Sequence, residues 1–166
     1  MDPISVAVEH NEQYVGRHGT RHLPTEPAKH LAVVTCMDSR LDLFGALGLD
    51  LGEAHIIRNA GGIATDDVVR SLVLSQRMLG TDRIMLIHHS RCGLEGLNEE
   101  GLRTSIAEET GVRSEMAFGS FTDPAANVRV TAKRLDAEHA LRHVEVRGFV
   151  FDVDTGSLHE VDLTTD

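Results

Sequence analysis

Leu31-Ala32-Val33-Val34 runs straight into Thr35-Cys36-Met37-Asp38-Ser39-Arg40, and Ile84-Met85-Leu86-Ile87 runs straight into His88-His89-Ser90-Arg91-Cys92-Gly93. A continuous apolar run without polar alternation is what a parallel strand covered on both faces requires. If the two runs are neighbouring parallel strands, both polar clusters leave the sheet at one edge. That edge, outside the carboxyl ends of the strands, is where open α/β sheets hold their ligands. Two thiols, a histidine, a carboxylate and a guanidinium then meet in one crevice, a side-chain set suited to zinc.

The rest of the chain alternates strand and helix signals around these runs. Residues 3–16 carry Ile4, Val8 and Val15 among polar neighbours and read as a short amphipathic helix ending near Gly16. Arg17–His30, with Gly19, Pro24 and Pro27, reads as a loop, so residues 1–30 form a helix-and-loop arm. Leu41–Gly48 begins a short helix. Ala54–Ile57 is a second strand, ending in Arg58-Asn59-Ala60-Gly61-Gly62. Thr65 or Asp66 caps a helix whose Val68, Val69, Leu72, Val73, Gln76 and Leu79 recur at three- and four-residue steps up to Gly80. Arg83–Ile87 is the third strand. Leu94–Glu109 has helical stretches broken by Gly96 and Gly101, Gly111–Pro124 is irregular, and Ala125–Leu141 is helical. Val144–Val153 is a strand, and Asp154-Thr155-Gly156 turns it into Leu158–Leu163. The fold class is α/β: one domain over residues 1–166, a mostly parallel central sheet of four strands with an antiparallel edge strand, and helices on both faces.

Charge and cysteine usage narrow the function. The 26 acidic residues against 16 basic ones repel phosphate backbones and anionic lipid, so neither nucleic acid nor a membrane surface is an expected partner. No run approaches the ~20 apolar residues of a membrane span, and Met1–Val6 lacks the features of a secretory signal. The expected location is the cytoplasm, where a cysteine pair is more often catalytic or metal-binding than cross-linked. A Cys36–Cys92 disulfide stays open, because sequence distance says nothing about spatial distance. His10, His18, His22 and His30 fit no ligand spacing and are expected on the surface.

Catalytic zinc keeps three protein ligands and one exchangeable position. Cys36, His89 and Cys92 supply a Cys₂His set: His-x-x-Cys converges from one loop and Cys36 closes the triangle from the neighbouring strand end. Asp38 can accept a hydrogen bond from hydroxide at the metal or fill the fourth position itself. Arg40 is placed to hold Asp38 away, and that pair would be the gate. The competing reading is a buried thiol pair with an Asp38–Arg40 ion pair capping Leu41–Gly48. His88 should point opposite to His89, into packing or a supporting hydrogen bond.

Cys36-Met37-Asp38-Ser39-Arg40-Leu41-Asp42, Arg58-Asn59-Ala60-Gly61-Gly62, Ser71-Leu72 with Leu79-Gly80-Thr81, and His89-Ser90-Arg91-Cys92-Gly93 together resemble the β-class carbonic anhydrases, more narrowly their short prokaryotic branch. The match is strong from about Leu31 to Gly93 and looser to the Arg147–Asp152 strand and the Thr155-Gly156 turn. The resemblance implies a Zn2+ enzyme interconverting carbon dioxide and bicarbonate, built as a homodimer or higher even homo-oligomer. It implies Cys36, His89 and Cys92 as ligands, Asp38 and Arg40 as the catalytic dyad, and Ala60 and Gly61 bordering the substrate. A glycine turn needed only for chain reversal accounts equally well for the Asn59–Gly62 stretch. Arg91 departs from the family pattern, standing where many members carry Asp. The family also includes enzymes that hydrolyse carbonyl sulfide or carbon disulfide with the same constellation.

The leading expectation is addition of metal-generated hydroxide to the central carbon of a linear heteroallene, with carbon dioxide as substrate. Carbonyl sulfide or carbon disulfide hydrolysis is the nearest alternative. A non-catalytic zinc or bicarbonate-binding module and a thiol redox domain are alternatives of other classes. His55 or another imidazole could shuttle protons, and the sequence selects none.

Overall fold

The computed structural model describes residues 2–18 and 22–165; part of the expected 17–30 loop, residues 19–21, lies outside them. The chain runs α1 (Pro3–His18), β1 (Leu31–Cys36), α2 (Leu43–Leu47), β2 (Ala54–Asn59), one 3₁₀ turn (Ala60–Gly62), α3 (Asp66–Arg77), β3 (Arg83–His89), α4 (Glu99–Thr110), α5 (Pro124–Asp136), β4 (Glu145–Phe151) and β5 (Leu158–Val161). The sheet order is β2-β1-β3-β4-β5, with β5 antiparallel to β4 and every other pairing parallel. The two apolar runs are therefore adjacent strands, as expected.

Burial follows the strand alternation. Ala32, Val34, Ile84 and Leu86 pack on one face against Val68 and Leu72 of α3 and Val128 and Leu135 of α5. Val33, Ile87, Phe149 and Phe151 occupy the other face with Leu41, Leu43, Cys36 and Cys92. Thr65 caps α3 by accepting from the Val68 amide at 3.4 Å, and Asp66 and Asp67 offset the positive end of the helix dipole. The helix stops at Arg77, before Gly80. Gly80 instead takes a positive φ of 73° in the turn into β3, where its carbonyl accepts from His30 Nδ1 at 2.9 Å.

Other boundaries move for tertiary reasons. β2 continues through Arg58 and Asn59 because both stay in register with Thr35 and Cys36 of β1. β3 continues through His88 and His89, which pair with Val150 and Phe151. Gly101 does not break α4; it lies in the first turn, where its amide reaches the Asn98 cap at 2.9 Å. The helix before β4 ends at Asp136 rather than Leu141. α1 runs through Gly16 to His18 and buries none of its residues, leaving Ile4, Val8 and Val15 exposed.

Candidate metal centre

Parallel pairing brings the carboxyl ends of β1 and β3 together, and Thr35 Oγ1 ties them by donating to the Ile87 carbonyl at 2.8 Å. Cys36 is the last residue of β1 and His89 the last of β3, with Cys92 one turn further on. All three are buried, and their ligand atoms lie within 4.8 Å of one another. Cys36 Sγ and Cys92 Sγ are 4.0 Å apart and the thiols are free. Tetrahedral zinc–thiolate geometry asks for about 3.8 Å, whereas a disulfide needs about 2.05 Å.

His89 supplies the test of fit to a metal. Its Nδ1 lies 3.0 Å from the Ser90 carbonyl, which can only accept, so Nδ1 carries the proton. That leaves the Nε2 lone pair facing the thiols, buried and without a hydrogen-bond partner. A buried acceptor costs about 1–3 kcal/mol if nothing satisfies it, and a metal ion between it and two sulfurs would do so. Burial pushes the Cys36 thiol up, but the His89 ring and the amides of Asp38 and Gly61 outweigh it and bring it down to about 7. Burial and the neighbouring Cys36 push the Cys92 thiol up. One readily ionised thiol beside an imidazole is a donor set that suits a divalent cation.

The dyad residues are also in contact. Arg40 grips the Asp38 carboxylate in a two-pronged pair, Nε to Oδ1 at 2.9 Å and Nη2 to Oδ2 at 2.6 Å. This fork holds the Asp38 carboxyl far below the usual carboxylate range. Asp38 Oδ2 sits 3.8 Å from His89 Nε2. Arg40 Nη2 also donates to the Arg91 carbonyl at 2.9 Å, so it joins the two ligand loops. The ion pair does not cap the following helix: Asp42 does, accepting from the Gly45 amide at 3.1 Å.

Gly61 and Gly62 follow β2 with φ of 81° and 68°. Gly61 is buried against Leu94, while Ala60 is exposed. A Cβ on Gly62 would lie 2.9 Å from the Cys36 amide nitrogen. The glycines thus do more than reverse the chain, since backbone must approach the ligand strand closely. His88 faces away from His89 as expected, donating Nε2–H to the Gly62 carbonyl at 3.1 Å. Burial pushes its pKa down to about 4, which keeps it neutral. His55 lies four residues, roughly 13 Å, back along β2 from the Cys36 level and shares a 2.7 Å hydrogen bond with Ser75 Oγ. It is not in the centre. A cavity of 320 Å³ bordered by Ile84, Leu135, Leu141 and Val146 lies at the opposite end of the strands, away from the thiols.

Sequence reasoning missed two features. Arg58, read only as part of a motif, donates to three backbone carbonyls of the 36–41 segment. Its signal was a guanidinium directly after the apolar pair Ile56-Ile57, near the end of a strand. Arg91 acts through its backbone, held at a positive φ of 54°, while its side chain pairs with Asp154.

The carbonic anhydrase family model matches residues 31–158, which contain all of these groups. This chain belongs to the β-carbonic anhydrase family. Among its relatives, beta-carbonic anhydrase 1 of Mycobacterium tuberculosis is 47% identical over 140 residues, covering 84% of this chain and 86% of that protein. A carbon disulfide hydrolase of Acidithiobacillus thiooxidans is 33% identical over 152 residues, covering 78% and 76%. The crystal structure of a carbonic anhydrase from Streptococcus mutans superposes with a TM-score of 0.93 at 41% identity, covering 98% of this chain and 99% of that one. Relatives of this chain are thus named for at least two activities.

Proposed function

We propose that this chain is a zinc enzyme that reversibly hydrates carbon dioxide to bicarbonate. The observation that carries this reading is the convergence of Cys36, His89 and Cys92 ligand atoms within 4.8 Å beside an Asp38 carboxylate gripped by Arg40. The 47% identity to a relative named beta-carbonic anhydrase 1 supports the same substrate. Bound zinc would supply Lewis acidity, bringing the deprotonation of water to near-neutral pH. The two thiolates would balance the charge of the dication, and the Ser90 carbonyl would hold the imidazole in the ligating tautomer. Asp38, kept ionised by Arg40, offers a carboxylate acceptor beside the three ligand atoms and would orient the proton of the nucleophile there. Arg40 holds that carboxylate and would keep it off a bound metal, and Ala60 and Gly61 would border the substrate.

Hydrolysis of carbonyl sulfide or carbon disulfide on the same centre is the second reading, favoured by the relatives named carbon disulfide hydrolase. We also assign a homodimer or higher even homo-oligomer: the apolar Ile4, Val8 and Val15, exposed on an arm helix that buries nothing, support it. Buried free thiols support a reducing, cytoplasmic setting. No described helix is long and apolar enough to cross a membrane.

The test is zinc stoichiometry together with parallel turnover of carbon dioxide, carbonyl sulfide and carbon disulfide. One zinc per chain and carbon dioxide as the best substrate is the expected result. Cys36→Ser and His89→Ala should lose the metal, whereas Asp38→Ala should keep it and lose turnover. Full activity in metal-free protein refutes the proposal, and bound zinc without turnover of any of the three marks a non-catalytic binding module.

A further inference from the structure

Arg58 stands beside Thr35 in the β2–β1 register and reaches over the end of the ligand strand. Its Nε donates to the Cys36 carbonyl at 2.9 Å, its Nη2 to the Asp38 carbonyl at 2.6 Å and its Nη1 to the Leu41 carbonyl at 3.4 Å. One planar cation thus spans the whole segment from the first thiol to the start of α2. Among the described residues its partners are these carbonyls rather than a carboxylate, so the hydrogen bonds of this exposed guanidinium go to backbone dipoles. Asp38 is consequently held twice: its main chain by Arg58 and its carboxylate by Arg40. The carboxylate already lies 3.8 Å from His89 Nε2, so a small backbone shift would carry it to the point the three ligands share.

We infer that Arg58 is a positioning residue of the metal centre: by fixing the backbone of residues 36–41 it keeps the Asp38 carboxylate on Arg40 and out of the fourth coordination position. The inference rests on the proposed metal-dependent reading of the site, and it adds a residue that touches neither metal nor substrate. Lysine cannot replace it, because one ammonium cannot reach three divergent carbonyls in a fixed fork.

The test uses the full chain with Co(II) in place of zinc, whose visible bands respond to the fourth ligand. Arg58→Gln and Arg58→Lys should each alter those bands, and the alteration should vanish when Asp38→Asn is added. With zinc, turnover should fall by about 10–100-fold at unchanged metal stoichiometry. The lysine variant keeps the charge and most of the stem, and so covers a failure of the glutamine variant to fold. Unaltered bands in either variant that binds cobalt overturn the inference, as do altered bands that persist in the Asp38→Asn background. Loss of cobalt from both variants also overturns it, assigning Arg58 to the ligand loop as a whole. A zinc-loaded parent inactive on carbon dioxide would refute the proposed function, yet the spectral comparison would still decide the role of Arg58.

Discussion

Gly62→Ala should loosen the grip on the metal without touching a ligand side chain. An added Cβ would lie 2.9 Å from the Cys36 nitrogen and the Thr35 carbonyl carbon, and 3.1 Å from the Thr35 Cα. Every one of these is backbone of β1, which is paired on both sides and cannot swing away. Two costs add. Holding alanine at a φ of 68° costs about 1–2 kcal/mol, and forcing a methyl into packed backbone costs about 1–3 kcal/mol. The expected loss is therefore about 2–5 kcal/mol, a large share of the ~5–15 kcal/mol that holds a domain together. Gly111→Ala is the control, because Gly111 has a comparable φ of 74° and nothing within 4 Å of an added Cβ. It should show the conformational cost alone. Urea unfolding of metal-free and zinc-loaded protein, with a chelator competition for zinc, measures both consequences. We expect Gly62→Ala to unfold at clearly lower urea than Gly111→Ala and to release zinc about 10–100-fold more readily. Stability within about 0.5 kcal/mol of the control, with unchanged zinc retention, would refute the close-approach argument.

Two further outcomes follow from the charge and thiol arrangement. Glu99 accepts from the Ser120 amide at 2.8 Å and pairs with Arg103, which together hold its carboxyl down to about 2. A lowered folded-state value means that its stabilisation is complete above the ordinary 4.5 and fades as the pH falls toward 2. Protection of the Phe118 and Ser120 amides, taken relative to the intrinsic exchange rate at each pH, should fall over that window in the parent and be low already at neutral pH in Glu99→Gln; parallel protection profiles for the two proteins would contradict this. Chelation should raise thiol reactivity from near zero to two per chain, since Cys36 and Cys92 are both free and buried. Thiols equally reactive before and after chelation would mean that no metal shields them.

The local elements were legible because short-range chemistry writes them. The apolar tetrads gave β1 and the body of β3, Thr65 with Asp66 and Asp67 gave the start of α3, and Leu158 opened an antiparallel edge strand. Boundaries drifted where a partner strand prolongs a ladder, as at Arg58 and His89, or where the last helical turn loosens into a turn before its glycine, as after Arg77. The donor set could be named from sequence because Cys36, Asp38 and Arg40 directly end or follow one apolar strand and His89 and Cys92 directly end or follow another.

What sequence by itself determined was the chemistry on offer and the period of each element, since both depend on side chains a few residues apart. Only the tertiary structure decided that the two sulfurs lie 4.0 Å apart, that Arg58 clamps residues 36–41, and that Gly62 abuts Cys36. Those contacts join residues 17 to 56 positions apart. They are set by strand order and register, which the burial of both sheet faces selects and no local propensity encodes.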